Sequence, residues 1–465
     1  MKSLRLLWVV LVLFATCFAQ EPQAPTGNST DQPQAEQAEA PHHISKEEAE
    51  KLFQAVDEIL KFDSERTGLP IKHPVKRKLT SREEVEHFFL KAFREDESAK
   101  RLQSAELVLK KFGLIPRDSS LTGTLLALYT ESVAGYYDPK TKTVYLLDWL
   151  DADSQKPVLA HELTHALQDQ NFDIQKYFKL PKNKQAYDLT SSEEQSARVA
   201  AMEGQAAATM VDYLLQARGL SLASNPDIAM AVQSSMLADT DAPIFAKAPL
   251  YLREDMKFPY TYGLNFTLAM LKQSKTTAEA YSRPFLDPPA NTRQIMDPDE
   301  YLAKKTVPRL AIPDLDKLLG KEWERFDVDC VGQFDISVLA REYGKTAGQA
   351  RSIADGWRNS YYYAAIRKAT KPTIPKDLSL LYVSRWSSAD AADMWAATYA
   401  SALGARYRNV APVEGDTGHW KSEEGDIFIE RHNDLVLITE SFDPATSKKL
   451  RAAALAALNP ESPKT

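Results

Sequence analysis

Two histidines, His161 and His165, stand four residues apart with Glu162 directly after the first, forming the pattern His-Glu-x-x-His (HExxH). In an α-helix this spacing puts both imidazole rings on one face, so both can reach the same metal ion. Glu162 then lies beside the ion, where a carboxylate can take a proton from an attacking water molecule. The surrounding residues predict a helix over about 155–170, so the pattern indicates a zinc site with a general base.

The two sides of this predicted helix differ in character. Leucine and alanine side chains recur at helical spacing on one side, and the histidines lie on the other with Val158 and Asp169. The face that packs into a core and the face that would hold a metal therefore do not compete. The alternative is a surface helix with two incidental histidines. Histidine is scarce, with eight in 465 residues, which favours the metal site.

A catalytic zinc ion takes three protein ligands and keeps a fourth position for water, so a third ligand must come from elsewhere. Glu203 is the best candidate, because it lies in a second predicted helix, 193–218, and its neighbours three and four residues away are valine and alanine. Burying a carboxylate among such residues is costly unless a cation faces it. Together with these alanines, Gly204 should let this helix approach the HExxH helix closely.

Other assignments for the third ligand stay open. No histidine lies between the HExxH pattern and His419, which excludes a three-histidine site in this part of the chain. Glu203 could instead be a surface residue of an alanine-rich helix, and Asp188, Glu193 or Glu194 is then the next candidate. The last two are also explained by the favourable interaction of acidic side chains with a helix N-terminus.

The segment from His161 to Asp169 resembles the active-site helix of thermolysin-type zinc peptidases, the gluzincins. In that family a glutamate on a following helix completes the zinc site, and Glu203 stands 38 residues after His165 in a similar place. The order of strand hairpin, HExxH helix, loop and glutamate helix is also similar. The resemblance implies a zinc endopeptidase with an edge strand, 133–137, on which an extended peptide substrate lies.

The sequence departs from the gluzincin pattern around the third ligand. That family has an asparagine before the glutamate and an aspartate four residues after it, whereas Met202 and Ala207 stand at these positions here. The groups that orient the metal ligands are therefore not assigned by the resemblance.

The oxyanion donor is a second departure. The family uses a downstream histidine and a tyrosine, and this chain has no histidine nearby. Tyr260 and Tyr262 are the substitutes expected first, with Arg293 behind them. Both tyrosines lie between Pro259 and Gly263, which predicts a loop with a sharp turn at the glycine. The alternative is that both tyrosines only pack before a helix.

The whole chain is also similar to a group of uncharacterised exported bacterial HExxH proteins. The stretches that carry this similarity are Ala134–Pro139, His161–Gln170, Met202–Ala206, Phe258–Tyr260 with Tyr262-Gly263, Pro288–Pro298 with Tyr301, and the Gly356-Trp357 region. This similarity supports the architecture and leaves the substrate open.

The N-terminal segment predicts export. Lys2 and Arg5 precede a short apolar run, and small residues before position 20 fit a cleavage site, so residues 1–19 are interpreted as a signal peptide. A lipid anchor on Cys17 is the less favoured alternative. Residues 20–45 are polar and proline-rich, which predicts a disordered linker. No other segment is long and apolar enough to span a membrane.

The remaining sequence predicts an α+β protein in two parts. Residues 46–324 form a mainly helical metallopeptidase domain with a β-hairpin around a turn at 138–142 and an irregular connection over 284–313. Residues 325–465 form a smaller α+β domain with an antiparallel sheet. The further helices expected in the first part are 46–62, 81–95, 98–112, 121–131, 226–238 and 262–274. The strands expected in the second part are 361–368, 378–386, 425–431 and 435–440, and its helices are 389–403 and 444–458.

Charge and cysteine content exclude other classes. The chain has 57 lysines and arginines against 64 acidic residues, a net charge of −7, which argues against a nucleic-acid-binding protein. Cys330 is the only thiol that remains after signal-peptide cleavage, so no intrachain disulfide is expected. It is interpreted as a small buried residue rather than a nucleophile.

Together these observations predict an exported zinc metallopeptidase, periplasmic or secreted, that acts on a protein or peptide. His161, His165 and Glu203 would bind Zn²⁺, and Glu162 would be the general base. One alternative is a catalytically idle periplasmic binding module with a structural zinc ion, which would have no use for Glu162. Another is metal-assisted hydrolysis of a non-peptide substrate. The natural substrate, the cleavage specificity, the oligomeric state and the role of the second domain are not predicted.

Overall fold

The computed structural model describes residues 10–11, 43–94, 96–179, 191–225, 228, 242–307 and 309–458. Most of the predicted signal peptide and linker, including Cys17, lies outside these residues, as does Asp188. The helix predicted over 226–238 also lies outside them apart from residue 228.

The protein belongs to the α+β class, as predicted. Its described helices are α1 (Lys46–Thr67), α2 (Arg82–Arg94), α3 (Asp96–Phe112), α4 (Leu121–Ser132), α5 (Ala152–Phe172), α6 (Ile174–Tyr177), α7 (Ser191–Leu215), α8 (Pro243–Lys247), α9 (Leu250–Phe258), α10 (Leu264–Gln273), α11 (Thr277–Leu286), α12 (Thr292–Met296), α13 (Pro298–Leu302), α14 (Leu315–Leu319), α15 (Gln333–Glu342), α16 (Ala347–Asp355), α17 (Ala389–Ser401), α18 (Leu403–Arg406) and α19 (Pro444–Leu458). Its described strands are β1 (Val10–Leu11), β2 (Lys76–Thr80), β3 (Tyr136–Asp138), β4 (Thr143–Leu147), β5 (Trp323–Asp329), β6 (Trp357–Arg367), β7 (Ser379–Trp386), β8 (Ala411–Pro412), β9 (His419–Ser422), β10 (Gly425–His432) and β11 (Leu435–Glu440).

A small sheet with the strand order β1-β3-β4-β2 lies beside the HExxH helix, which is α5. The predicted hairpin is confirmed: β3 pairs antiparallel with β4, and its first strand begins at Tyr136 rather than at residue 133. Strand β2, which was not predicted, pairs in parallel with β4. The two-residue strand β1 pairs antiparallel with Tyr136 and Tyr137 on the outer edge of β3.

The segment with Pro259 and Gly263 is helical, so the prediction of a loop there is wrong. Helix α9 continues through one π-helical turn, Pro259–Gly263, directly into α10. A proline has no backbone N–H to donate, and the wider i→i+5 turn is an arrangement in which a helix can continue past it. Gly263 has φ −65°, an ordinary helical value, so it makes no sharp turn.

The connection predicted as irregular over 284–313 is partly helical. Helix α11 contains Pro284, and the two short helices α12 and α13 follow it. Pro298 is the first residue of α13, the helical position where the missing N–H costs least. The prediction of an irregular connection is therefore wrong in part, because Pro284 and Pro298 both lie in helices.

The C-terminal part contains one sheet with the strand order β5-β6-β7-β11-β10-β9-β8. All neighbouring strands in it are antiparallel, as predicted. The four predicted strands correspond to β6, β7, β10 and β11, and the two predicted helices correspond to α17 and α19. The sequence did not predict β5, β8 or β9.

The two parts of the chain share buried contacts. One continuous apolar cluster includes residues of both, among them Phe112 of α3 and Tyr362 of β6, whose ring centroids are 5.7 Å apart. Lys111, fully buried, lies 2.8 Å from a carboxylate oxygen of Glu424. Leu315 of α14, before the predicted boundary at 324/325, packs in a second apolar cluster with residues of the C-terminal sheet. Among the described residues, no helix is both long and apolar enough to cross a membrane.

Candidate metal centre

His161, His165 and Glu203 are brought together by α5 and α7. The potential ligand atoms of the three buried side chains all lie within 4.8 Å of one another. Glu203 Oε2 lies 3.1 Å from His161 Nε2 and 3.5 Å from His165 Nε2. The histidine rings lie edge to face, with centroids 4.7 Å apart, as side chains one helical turn apart do. These three residues can therefore hold one metal ion.

The surroundings of His161 and Glu203 favour the protonation state in which each can bind a metal. Burial lowers the pKa of His161 to about 4, although the neighbouring Glu203 opposes this shift. Burial raises the pKa of Glu203, but the two histidines outweigh it and lower the value to about 2. At neutral pH the site therefore presents a neutral imidazole and an ionised carboxylate, which are the protonation states that bind a metal.

Unpaired buried atoms give an independent test of this fit. Among the described residues, His165 Nε2 and both carboxylate oxygens of Glu162 have no hydrogen-bond partner. Buried polar atoms are normally paired, and an unpaired one indicates a ligand, an ion or a catalytic role. A metal ion bound by the two histidines and Glu203 would engage His165 Nε2 and lie beside Glu162, so the donors present fit a metal.

A chain of hydrogen bonds orients His165. Its Nδ1 lies 2.7 Å from Gln168 Oε1. The Gln168 amide nitrogen donates to the Met202 carbonyl at 3.1 Å and to Gln205 Oε1 at 2.9 Å. These two acceptors identify the nitrogen of the amide, so the atom that faces His165 is the oxygen. The Gln205 amide nitrogen in turn donates to the Tyr281 carbonyl at 3.0 Å. Since an amide oxygen only accepts, the proton of His165 is on Nδ1 and the lone pair is on Nε2.

Glu162 lies on the side of α5 that faces β3. Burial raises the pKa of its carboxyl group well above the usual value, the negative charge of Glu203 raises it further, and the backbone amide of Tyr137 opposes the shift. A Cβ atom on Gly135 would lie 3.0 Å from Val158 Cγ1 and 3.9 Å from Glu162 Cγ. Gly135 therefore lets the start of β3 pass close to the candidate base.

A close contact between two glycines positions Glu203. A Cβ atom on Gly204 would lie 2.1 Å from the carbonyl carbon and oxygen of Gly263, and one on Gly263 would lie 2.1 Å from the Ala200 carbonyl oxygen. The expectation that Gly204 serves the approach to the HExxH helix is therefore wrong, because its partner is the π-helical turn. This contact brings Tyr260, on the same turn, to Glu203.

The two candidate tyrosines point in different directions. The Tyr260 hydroxyl donates a hydrogen bond to Glu203 Oε2 at 3.4 Å, and its ring centroid is 6.0 Å from that of His161. Tyr262 instead packs on Phe258, at 5.3 Å between ring centroids, and below the guanidinium group of Arg351. Of the two, only Tyr260 reaches the metal ligands.

Arg293 does not belong to this site. Its guanidinium group contacts Gln333 at 2.9 Å and Glu300 at 3.1 Å, and it also donates to the backbone carbonyls of Asp355 and Trp357. It therefore fastens α12 to the C-terminal part of the chain.

The other acidic candidates are engaged elsewhere. Asp169, on the metal face by helical spacing, accepts hydrogen bonds from Tyr137 Oη at 2.8 Å and from Lys142 Nζ at 2.6 Å, so it fastens α5 to the hairpin. Glu193 accepts from the backbone and the side chain of Thr292. Glu194 lies 3.8 Å from Arg198.

Two functional candidates were missed in the sequence, Gln168 and Gln205. Polar residues in a helix are usually exposed, so neither stood out. The available signal was their spacing: Gln168 is three residues after His165, and Gln205 is two residues after Glu203. Cys330 is buried, and burial raises the pKa of its thiol well above the usual value.

A family model described as "Domain of unknown function (DUF8575)" matches residues 315–451, which include the whole C-terminal sheet. No curated protein and no solved structure matches the chain. The family match does not include the HExxH helix or Glu203, so the assignment of the metal centre depends on its own geometry.

Proposed function

We propose that this protein is an exported zinc-dependent metallopeptidase. The observation that carries the proposal is the buried group of two histidines and one glutamate with the unpaired carboxylate of Glu162 beside it. A structural metal site would normally be closed by a fourth protein ligand and would have no use for a neighbouring base. The N-terminal sequence, with the features of a signal peptide, supports the exported location.

Zinc is the metal that suits these donors best. Two imidazole nitrogens and one carboxylate oxygen form the ligand set of many catalytic zinc sites, which leave one position open. When bound, zinc lowers the pKa of a coordinated water molecule and polarises a substrate carbonyl group.

The surrounding side chains supply the proton transfers. Glu162 accepts the proton of the attacking water molecule and passes it to the leaving amine, because it is the buried carboxylate beside the ligands whose oxygens have no hydrogen-bond partner among the described residues. Tyr260 donates a hydrogen bond to the oxygen on which negative charge develops, since its hydroxyl is the phenol beside the ligands. Gln168 holds His165 in the tautomer whose Nε2 is free to bind.

A peptide is the proposed substrate because β3 offers a strand edge beside Glu162. Val10 and Leu11, in the segment expected to be removed with the signal peptide, pair antiparallel with Tyr137 and Tyr136, so this edge can accept a strand. An extended peptide added in the same way would form main-chain hydrogen bonds with β3 and lie along the face that carries Glu162. This mode binds backbone rather than particular side chains, so it suits a protein substrate.

The test compares Glu162→Gln with the wild-type mature chain for zinc content and for cleavage of an unfolded protein. The variant should keep about one zinc ion per chain and lose activity by ~10³-fold or more, because the base is removed and the ligands are not. Glu194→Gln, which replaces a partly buried carboxylate beside Arg198 on α7, is the matched control and should keep both. Cleavage by Glu162→Gln at the wild-type rate would overturn the role of Glu162.

The ligands are tested separately. His161→Ala, His165→Ala and Glu203→Ala should each lower zinc affinity as well as activity, because each removes a donor atom. If Glu203→Ala binds zinc as tightly as the wild type does, the third ligand is another residue and the proposed site is wrong in that respect.

A further inference from the structure

A polar cavity lies away from the metal centre, where the 291–307 segment meets the start of β6. Its volume is about 540 Å³. Four cationic side chains line it, Arg293, Lys304, Lys305 and Arg358, and the only carboxylate among its described lining residues is Glu300. The cavity is therefore strongly positive within a chain whose net charge is −7.

Arg358 is placed there by an irregularity in the sheet. In the pairing of β6 with β7 the register shifts between Trp357 and Asn359, so Arg358 is the extra residue of a β-bulge. A bulge redirects a side chain from the alternation of the strand and is frequent next to functional sites. Here it brings the guanidinium group to the wall of the cavity.

Arg358 keeps donors available for a ligand. Its two hydrogen bonds to described residues come from Nη1, to the backbone carbonyls of Asp355 at 2.9 Å and Trp357 at 2.8 Å. No carboxylate of the described residues lies within 4 Å of the guanidinium group. Burial and the positive charge of Arg293 lower the pKa of Arg358, and the negative charges of Glu300 and Asp355 oppose this shift.

The nearby carboxylates do not neutralise the positive charge of the cavity wall. Glu300 is already shared, since it lies 3.1 Å from Arg293 and 3.1 Å from Lys305. Lys304 lies 3.7 Å from Asp287, and 75% of its side chain is exposed. Glu300 thus pairs with two cations, and among the described residues Arg358 has no carboxylate within ion-pair distance.

We propose that this cavity, the Arg358 pocket, binds a phosphate group, either as free phosphate or as part of a small phosphate ester. The planar fork of an arginine matches the oxygens of a phosphate in a bidentate manner, and lysines add point charges around it. Arg358 supplies the fork, and Lys304 and Lys305 supply the point charges. The volume also lies within the usual range for small-ligand sites.

The pocket is separate from the metal centre. One connection from the pocket to α7 runs through Thr292, the residue before Arg293. The backbone amide of Thr292 donates to Glu193 at 3.0 Å. Glu193 precedes Glu203 by ten residues of α7, which corresponds to ~15 Å along a helix. Phosphate binding is therefore expected whether or not the metal site is filled or active, and it can be measured without an activity assay.

The experiment is a thermal-unfolding titration of the mature chain with inorganic phosphate and, in a second arm, with phosphoserine. Potassium chloride at matched ionic strength measures the effect of salt alone. A ligand that binds the folded chain raises Tm in a saturable way. Arg358→Gln should weaken the effect by ~10-fold or more, because it removes the charge-assisted fork. Arg408→Gln, which removes an exposed arginine outside the pocket, should respond as the wild type does.

Lys304→Gln keeps the test decisive if Arg358→Gln does not fold, because this exposed side chain can be replaced without disturbing packing. It should weaken phosphate binding by a smaller factor than Arg358→Gln. The proposal is overturned if chloride raises Tm as much as both phosphates do, or if Lys304→Gln and Arg358→Gln bind as the wild type does. Citrate is tested in a third arm at the same ionic strength. If citrate raises Tm and neither phosphate compound does, the assignment to phosphate is overturned.

Discussion

Gly204 and Gly263 face each other so closely that neither position has room for a methyl group. A Cβ atom on Gly204 would lie 2.1 Å from the backbone of Gly263. The contact joins the helix that carries Glu203 to the turn that carries Tyr260, so one pair of glycines sets the distance between a candidate metal ligand and the candidate oxyanion donor.

Gly204→Ala should therefore destabilise the protein and impair the site. The obstructing atoms are backbone atoms, so the loss of unfolding free energy is expected near the upper end of the ~1–3 kcal/mol typical of overpacking. Gly348→Ala is the matched control, since Gly348 lies in α16 where an added methyl group would have nothing within 4 Å, and alanine favours a helix by up to ~1 kcal/mol. Chemical denaturation measures both, and equal stabilities of the two variants would contradict the importance of the contact.

Gln168→Ala should weaken zinc binding without removing a ligand. The substitution releases His165 Nδ1 from the acceptor that fixes its tautomer, and the loss of such a partner typically costs about 10–100-fold in metal affinity. Competition with a chromophoric chelator measures the affinity. Gln175→Ala, on the neighbouring helix α6 and exposed, should bind zinc as the wild type does. Unchanged affinity in Gln168→Ala would show that the hydrogen-bond chain does not support the site.

The two tyrosines of the π-helical turn form a natural pair of test and control. Tyr260→Phe should lower kcat by ~10²-fold with zinc content and KM little changed, because it removes one donor to the developing oxyanion. Tyr262→Phe should keep the wild-type kcat, since its ring packs on Phe258 away from the ligands. Steady-state kinetics on one peptide decides this, and a wild-type kcat in Tyr260→Phe would exclude Tyr260 as the donor.

The burial of Asp63 predicts that the stability of the folded chain depends on pH. It is fully buried in α1, neither carboxylate oxygen has a hydrogen-bond partner among the described residues, and burial raises its pKa well above the usual value. The folded chain therefore holds a proton that the unfolded chain releases above pH ~4. Stability falls as pH rises from there towards the folded-state pKa, by up to ~1.4 kcal/mol per pH unit.

Asp63→Asn removes this titration, so it should be more stable than the wild type at neutral pH and nearly equal to it at pH ~4. Urea denaturation across this pH range measures the difference. Glu58→Gln, an exposed carboxyl group on the same helix, should leave the pH dependence of the wild type unchanged. A parallel shift of Asp63→Asn at every pH would indicate an effect of packing and not of the proton.

Much of the site could be predicted because its signal is local. The histidine spacing fixes one helical face, and Glu203 stood out as a carboxylate among alanines. Gln168 and Gln205 could not be found in the same way, since their role depends on how α5 and α7 pack. Gly204 was recognised as a point of close approach, but its partner was not. That partner, Gly263, lies in a π-helical turn that was predicted as a loop because of Pro259.

In the fold, too, the elements with a local sequence signal were predicted and those that depend on a distant partner were not. Strands β6, β7, β10 and β11 are rich in branched and aromatic residues, and their positions were predicted to within a few residues. Strand β2 has the sequence Lys-Arg-Lys-Leu-Thr, with only one apolar residue, so its strand state depends on its parallel pairing with β4. That partner is more than sixty residues away in the chain, where local sequence gives no information.

The buried pair of Lys111 and Glu424 bears on how this protein can be divided or recombined. Residues 315–451 are recognisable as a unit by sequence similarity, yet Glu424, within that unit, has its counter-charge on α3. Packing residues 315–451 against a surface that lacks this lysine would leave Glu424, whose side chain is 4% exposed, buried without that counter-charge, and breaking such a pair typically costs ~3–5 kcal/mol. A chimera that transplants residues 315–451 should therefore carry α3 with it, or replace Lys111 and Glu424 together by apolar residues.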